Sequence, residues 1–228
     1  NFAIKNDVDF IALSFVRSPE DVSQLRKILD KKKSKIKIIS KIENGEGLDN
    51  IHEITKASDA IMVARGDLGI ETNLADLPNV QRRIMYSCAK WGRRSIVATH
   101  LLESMIEKPT PTRAEVTDVA NTIYEGADAM MLSGETSIGK NPIECVKFLK
   151  SIALKTEKFR TLGYETKLKI HGDWEHLGKT AKDLAEAVNA DGIIAITRSG
   201  YTANVVSNAK PANIPIFAFT NSKIVHRQ

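Results

Sequence analysis

Five short runs rich in β-branched residues recur along the first two thirds of the chain, and their regular spacing constrains the fold more than any other feature. Amphipathic helical patterns fill the gaps between them. Successive runs begin roughly 24 to 35 residues apart, the length of one βα unit in a parallel sheet. The sequence therefore predicts an α/β fold with strands at Asp9–Phe15, Ile36–Ile42, Ala60–Ala64, Ser95–Thr99 and Ala127–Leu132.

Polar residues stand at the carboxyl end of all five predicted strands. A closed barrel gathers every such end into one mouth, whereas an open sheet places its site mainly at a switch point. We therefore expect a partial (β/α)₈ TIM barrel in which five of the eight βα units are present. The polar residues are Ser14 and Arg17, Lys41 and Glu43, Asp67, Thr99 and His100, and Ser133 to Glu135.

A polar stretch with little periodicity, Arg160 to His176, separates this region from a second α/β piece. Two predicted strands are too few for an independent sheet of ordinary size. We expect residues 1–158 to be the C-terminal half of a TIM-barrel catalytic domain and residues 159–228 to be a truncated α/β domain of the effector-binding type. The elements predicted in the second piece are a helix at Lys179–Val188, a strand at Gly192–Thr197, a helix at Thr202–Ala209 and a strand at Ile214–Thr220.

The composition, 42% hydrophobic and 27% charged, suits a globular chain. No apolar run approaches the roughly 18 to 20 residues that span a membrane. Cys88 and Cys145 match no metal-ligand or redox spacing, which indicates two reduced thiols. Much of the net charge of +5 comes from Lys31–Lys35, a lysine run without interleaved aromatic residues, so a solvated connector is favoured over a nucleic-acid site. We expect a cytoplasmic protein with neither a membrane nor a nucleic-acid partner.

Lys41 and Glu43 are two residues apart at the end of a predicted strand, so their side chains point the same way. Asp67 follows the next strand, which brings a second carboxylate close to them. No Cys or His lies beside the two acids, and an all-oxygen ligand set suits Mg²⁺ or Mn²⁺. The alternative is that Glu43 forms a salt bridge at the barrel rim with Lys41 or an arginine.

The turn from Thr197 to Thr202 joins a predicted strand to a helix through glycine. Its hydroxyls and its cation surround the helix N-terminus, a position that binds phosphate readily. Simple capping of the helix by the hydroxyls is the alternative. The residues concerned are Thr197, Arg198, Ser199, Gly200 and Thr202.

Five sequence motifs resemble those of the pyruvate kinase family. They follow in the family's order and at its spacing, and the resemblance covers the chain from Val8 to about Thr220. The motifs are IKIISKIENGEGL at Ile36–Leu48, MVARGDLG at Met62–Gly69, ATHLLESM at Ala98–Met105, KPTPTRAEVTDVAN at Lys108–Asn121 and MLSGET at Met131–Thr136.

This resemblance implies roles for individual residues. Lys41 is expected to stabilise charge on a transferring phosphoryl group, with Ser14 orienting it and Arg17 on the same rim. Glu43 and Asp67 are expected to hold Mg²⁺ or Mn²⁺. The backbone N–H groups of Gly66 and Asp67, together with Thr99, are expected to contact the carboxylate of phosphoenolpyruvate, and Thr99 to lie near the carbon that is protonated. The family's effector loop corresponds to the turn from Thr197 to Thr202.

The sequence departs from the family in three respects. His100 replaces the usual glutamine, and Ser137 stands where alanine is common. The family's first three barrel strands, its lid domain and the end of its C-terminal domain have no counterpart here. Because those parts hold the K⁺ ligands, the phosphate-gripping arginine and much of the nucleotide site, we expect a fragment that is inactive alone.

The resemblance implies that a full-length parent catalyses a step of glycolysis, phosphoenolpyruvate and ADP giving pyruvate and ATP, as a homotetramer with Lys108–Asn121 near a subunit interface. Two alternatives stay open. One is a Mg²⁺-dependent aldolase or lyase acting on pyruvate or phosphoenolpyruvate, although such an enzyme has no need of Lys41. The other is a non-catalytic, truncated subunit.

Overall fold

The computed structural model describes residues 2–159, 161–170 and 172–228. Its main feature is a five-stranded, fully parallel sheet in which the strands lie side by side in chain order. This order is that of consecutive barrel units, as predicted. The strands are β1 at Phe10–Leu13, β2 at Lys37–Ile42, β3 at Ala60–Ala64, β4 at Arg94–Ala98 and β5 at Ala129–Met131.

Burial along the sheet follows from the strand order. Every residue of the central strand β3 is buried, because neighbouring strands and helices cover it on all sides. The edge strands β1 and β5 each have a free edge, and their residues are only partly buried or exposed. The core on the helical side of the sheet is built from aliphatic side chains that are fully buried, among them Ile38, Ile61, Val97, Ile54 and Ile84.

Helices connect the strands, and local sequence signals set their ends. Asp21 accepts hydrogen bonds from the backbone N–H groups of Arg17 and Ser18 and so begins α2. Gly92 ends α6 with a left-handed φ of 60°. The helices of this part are α1 at Phe2–Lys5, α2 at Pro19–Lys31, α3 at Gly45–Asp49, α4 at Ile51–Ala57, α5 at Arg65–Glu71, α6 at Leu77–Trp91, α7 at Arg113–Tyr124, α8 at Gly134–Ser137 and α9 at Pro142–Thr156.

The two strands predicted in the C-terminal piece pair with each other in a two-stranded parallel sheet. Its strands and helices are α10 at Asp173–Ala187, β6 at Ile193–Ile196, α11 at Tyr201–Asn208, β7 at Ile216–Phe219 and α12 at Lys223–Arg227.

The start of α10 differs from the prediction, which placed it at Lys179. Asp173 and Glu175 occupy the first turn, where carboxylates interact favourably with the helix dipole. Tyr201 donates a hydrogen bond from its hydroxyl to Glu175 Oε1 at 2.8 Å, and its ring packs edge-on against Trp174. These contacts with α11 extend the helix into a segment that its local sequence did not mark. Arg160 and His171, in the predicted linker, lie outside the described residues.

The C-terminal piece docks on the amino ends of the barrel strands through polar contacts. Lys210 donates to the carbonyl of Gly126 and lies 3.5 Å from Asp128 Oδ1. At the opposite edge, the Arg227 guanidinium lies 3.0 Å from Asp9 Oδ1. Because Asp9 precedes β1 and Asp128 precedes β5, the C-terminal piece contacts both edge strands at their amino-terminal ends. The predicted division of the chain between residues 158 and 159 stays a prediction.

Candidate active site

The carboxyl ends of β1 and β2 bring three predicted residues into contact. Lys41 lies within β2 and Glu43 directly follows it, and the Lys41 Nζ lies 2.6 Å from Glu43 Oε1. The same Nζ is 3.1 Å from Ser14 Oγ, just beyond β1. Glu43 Oε2 accepts a hydrogen bond from the Phe15 N–H at 2.5 Å. Ser14, which the family resemblance places beside Lys41, thus lies within hydrogen-bond distance of its ammonium.

The Lys41–Glu43 ion pair is also the contact that was set out as the alternative to a metal site. Its two members differ in exposure: the Glu43 side chain is 1% exposed, whereas that of Lys41 is 24% exposed. A carboxylate this deeply buried needs a cation or hydrogen-bond donors, and it has both. The ion pair accounts for the burial of Glu43 in the protein alone, so its metal-binding role is argued below as a proposal.

Asp67 and Thr99 belong to the next two βα units. Asp67 lies exposed in the first turn of α5, directly after β3. Thr99 follows β4, and its Oγ1 accepts a hydrogen bond from the Gly66 N–H at 2.7 Å while donating to the Ala98 carbonyl at 2.6 Å. The Gly66 amide, predicted to contact a substrate carboxylate, is thus hydrogen-bonded to the Thr99 hydroxyl.

Arg17 stands apart from this cluster. Its guanidinium lies 3.9 Å from Glu46 Oε2, and both side chains are more than half exposed. A pair so exposed contributes little to stability. Among the described contacts none joins Arg17 to Lys41 or Glu43, so its part in the site stays a prediction.

Arg65 was not singled out from the sequence, yet it is the most extensively bonded side chain near Thr99. It is 5% exposed. Its Nε and Nη2 donate to the Thr99 carbonyl at 3.0 and 2.7 Å, Nη2 also donates to the His100 carbonyl at 2.9 Å, and Nη1 pairs with Asp118 of α7. The one sequence signal that could have found it is an arginine placed directly after the all-apolar strand β3.

Two carboxylates near the strand ends, those of Glu43 and Asp67, are the predicted ligands of a divalent cation. Among the described residues, no group of three or more His, Cys, Asp or Glu side chains is placed to hold a metal ion. Glu43 and Asp67 offer carboxylate oxygens alone, which suits Mg²⁺ or Mn²⁺, since these ions keep several waters and bind substrate oxygens. The residues therefore fit a cation that is only partly coordinated by protein.

Thiol chemistry has no place in this site. Cys88 and Cys145 are free and buried. Burial raises the pKa of both thiols, and the nearby carboxylate of Asp128 raises that of Cys88 further. A raised pKa lowers the thiolate fraction on which nucleophilicity depends.

The turn from Thr197 to Thr202 lies in the C-terminal piece, between β6 and α11. Gly200 is the N-cap of α11 with φ of 84°, and as a glycine it has no side chain to cap this helix. The hydroxyl-capping alternative stays a prediction. The first N–H groups of a helix have no partner within it, and Arg198 stands two residues before Gly200 in the chain.

A half-barrel of parallel βα units with a lysine, carboxylates and hydroxyls at the carboxyl ends of its strands defines a TIM-barrel type of catalytic domain. The model of the pyruvate kinase barrel domain matches residues 1–146, and that of the pyruvate kinase alpha/beta domain matches residues 175–228. The chain therefore belongs to the pyruvate kinase family.

Individual relatives agree with this assignment. The pyruvate kinase of Staphylococcus epidermidis is 45% identical over 231 aligned positions, which cover 100% of this chain and 39% of that protein. That of Borreliella burgdorferi is 46% identical, over 99% of this chain and 48% of the relative. A crystal structure of a pyruvate kinase from Cryptosporidium parvum superposes with a TM-score of 0.95 at 39% identity, covering 99% of this chain and 48% of the other. The chain thus spans less than half the length of these relatives.

Proposed function

We propose that the whole protein transfers the phosphoryl group of phosphoenolpyruvate to ADP, giving pyruvate and ATP, as a step of glycolysis. The observation that carries the proposal is the contact of Lys41 with both Glu43 and Ser14 at the carboxyl ends of β1 and β2. Membership of the pyruvate kinase family supplies the reaction. A lysine and two acids at a barrel mouth supply positioning and charge neutralisation, which is most of what phosphoryl transfer asks of a protein.

Lys41 is the residue that acts on the transferring group. Its ammonium stabilises the charge that spreads over the phosphoryl oxygens. The hydroxyl of Ser14 at 3.1 Å and the carboxylate of Glu43 at 2.6 Å hold this ammonium in one direction. Arg17 adds positive charge on the same rim.

Glu43 and Asp67 are the residues that would hold Mg²⁺ or Mn²⁺. When bound, such a cation neutralises charge on phosphoryl and enolate oxygens. The K⁺ requirement is proposed by family resemblance, with ligands other than the residues of this chain.

The first turn of α5 is proposed to bind the carboxylate of phosphoenolpyruvate. The N–H groups of Gly66 and Asp67 lie at a helix N-terminus, which favours anions. Thr99 already accepts from Gly66 N–H, so a substrate carboxylate would replace or share that hydrogen bond. The same hydroxyl lies near the enolate carbon that takes up the proton.

The turn from Thr197 to Thr202 is proposed to cradle a phosphate of a sugar-phosphate effector. Support comes from the helix N-terminus that follows Gly200, where anions bind favourably, and from the Arg198 cation two residues before that glycine. The hydroxyls of Thr197, Ser199 and Thr202 provide further donors.

The whole protein is proposed to act in the cytoplasm as a homotetramer, with phosphoenolpyruvate and ADP or ATP as its partners. Among the described residues, no helix is both long enough and apolar enough to cross a membrane.

The experiment is an assay of the whole protein with phosphoenolpyruvate, ADP, Mg²⁺ and K⁺, in which pyruvate and ATP are measured together. Equal amounts of both products are expected, with neither formed when ADP is omitted. A metal-dependent aldolase or lyase would instead convert pyruvate or phosphoenolpyruvate without forming ATP. That result would remove the proposal, because Lys41 would then have no phosphoryl group to stabilise.

A further inference from the structure

We propose that Arg65 is a positioning residue, which fixes the backbone of Thr99 and His100 so that the Thr99 hydroxyl stays at the N-terminus of α5. The inference rests on the proposed function, because Thr99 and this N-terminus are the proposed substrate contacts. Arg65 itself contacts no reacting group.

The segment that Arg65 holds is strained. Thr99 has a φ of 69° and His100 a φ of 53°, so two consecutive non-glycine residues are left-handed. This region is unfavourable for L-residues, most of all for a β-branched one such as threonine. Such a conformation persists only where surrounding contacts over-determine it.

The guanidinium of Arg65 supplies those contacts. Three of its N–H bonds converge on the carbonyls of Thr99 and His100, at 2.7 to 3.0 Å. The Thr99 and His100 carbonyl oxygens both accept from one planar guanidinium group, which holds the backbone at these two residues in the left-handed conformation. A lysine ammonium has no such fork and cannot reproduce the arrangement.

Asp118 fixes the position of the Arg65 guanidinium group. Its carboxylate oxygens lie 2.8 and 2.9 Å from Arg65 Nη1. Since Arg65 is buried, its charge needs this partner. Arg65 is thereby bonded to α7 through Asp118 and to the segment after β4 through two backbone carbonyls.

This backbone conformation places the Thr99 hydroxyl at the N-terminus of α5. The Thr99 Oγ1 lies 2.7 Å from the Gly66 nitrogen and 2.6 Å from the Ala98 carbonyl oxygen. If the φ of Thr99 returned to negative values, its side chain would swing away from Gly66. The hydroxyl would then be lost from the proposed carboxylate site, although Lys41, Glu43 and Asp67 would be untouched.

The test compares Arg65→Lys with Arg82→Lys in the whole protein. Arg82 is a matched control because its guanidinium also pairs with a buried carboxylate, that of Glu125 directly after α7. Misplacing a catalytic group by about 1 Å costs on the order of 100-fold, so Arg65→Lys is expected to lower kcat about 100-fold. Mn²⁺ binding, followed by electron paramagnetic resonance, is expected to be unchanged, and Arg82→Lys to keep its kcat.

A purely structural role predicts a different pattern. Arg65→Lys would then lower the melting temperature while kcat, measured well below that temperature, stayed near the unchanged protein's value, and this result would overturn the inference. If Arg65→Lys does not fold, Asp118→Asn takes its place, with a fall in kcat of about tenfold expected from a loosened fork. An unaltered kcat in Asp118→Asn would likewise overturn it.

A crystal structure of the variant separates this inference from the proposed function. Thr99 and His100 are expected to leave the left-handed region in Arg65→Lys, whether or not the protein proves to be a phosphotransferase. Both residues remaining at positive φ would contradict the positioning role even in an active enzyme. Absence of ATP formation by the unchanged protein would count against the proposed function alone.

Discussion

The Nζ atom of Lys41 lies 2.6 Å from Oε1 of Glu43, and Ile42 is the single residue between them. Alternate side chains of a strand point to the same side, so the end of β2 places an ammonium and a carboxylate next to each other. The acid is buried, while the cation keeps a quarter of its surface exposed. An incoming anion therefore meets the ammonium first, with the carboxylate behind it.

Replacing Lys41 with methionine in the whole protein is expected to lower kcat by at least about 100-fold, because its charge acts in the transition state. The KM for phosphoenolpyruvate should change far less. Glu43 and Asp67 remain, so Mn²⁺ binding should persist, which electron paramagnetic resonance can measure. A methionine variant with near-normal kcat would remove the role assigned to Lys41.

The relation between Lys41 and Glu43 was predictable because it depends on strand periodicity alone. The five strands were likewise predicted within a few residues, because each apolar run is bounded by helical patterns at βα spacing. The contact of Ser14 with Lys41 was expected from family resemblance, and parallel pairing of β1 with β2 brings it about.

Arg65 could not be predicted in this way. Its partners are carbonyls 34 and 35 residues further along the chain and a carboxylate 53 residues away. Local sequence shows only a polar residue at the end of a strand. The capping of α11 is open to sequence reasoning only in part for a related reason: hydroxyl residues near a helix start favour capping on average, but the backbone geometry at Gly200, the N-cap, decides whether they reach the amides.

Replacing Arg198 with glutamate in the whole protein tests the proposed effector turn. The substitution reverses the charge beside the start of α11, so activation by sugar phosphates should be lost while basal kcat stays the same. Titration with glucose 6-phosphate, fructose 1,6-bisphosphate and ribose 5-phosphate measures this. Lys150→Glu, the same charge change on the exposed face of α9, is the control. Equal activation of both variants would rule out a phosphate site at this turn.

Lys210 is expected to hold the C-terminal piece against the base of β5. Its ammonium donates to the Gly126 carbonyl and lies 3.5 Å from Asp128, which also accepts from the Ser95 N–H at 2.9 Å. A hydrogen bond from a charged group contributes about 1.5 kcal/mol or more, so Lys210→Ala should speed amide exchange at the base of β5 about tenfold.

Hydrogen exchange followed by mass spectrometry measures this change in the whole protein. The control is Lys147→Ala, because Lys147 pairs with Glu144 in an exposed turn of α9 and such pairs contribute little. If exchange at the base of β5 were the same in both variants, the contact would be shown not to couple the two pieces.

His52 is expected to make the stability depend on pH. Burial lowers its pKa, and the positive charges of Lys90 and Arg83 lower it further. Its ordinary value is about 6.5, so the unfolded chain takes up the proton at a higher pH than the folded protein does. The contribution of His52 to stability is therefore complete above about pH 6.5 and is lost as pH falls from there through the lower folded pKa.

Thermal unfolding of the whole protein between pH 5 and 8 checks this expectation. His52→Gln should flatten the acid side of the profile, since glutamine can still bond to Ser87 Oγ, which lies 2.9 Å from His52 Nδ1. Lys90→Gln removes one of the charges that oppose protonation and should reduce the same slope. A profile that is identical in all three proteins would show that His52 does not titrate on unfolding.

Residues 1–228 expressed by themselves are expected to show no pyruvate kinase activity. The strands β1 and β5 each present an unpaired edge, and Phe10 and Met131 on these strands are 40% and 37% exposed. Exposed strand edges with apolar side chains favour association. Phosphoryl transfer depends mainly on how the protein positions the reacting groups. This chain covers less than half the length of its relatives, so we expect that positioning to be incomplete. The purified chain should be assayed with phosphoenolpyruvate, ADP, Mg²⁺ and K⁺ while light scattering records its size. Turnover by a monodisperse sample would show that these five units and the C-terminal piece suffice for the reaction, alone or with a second copy.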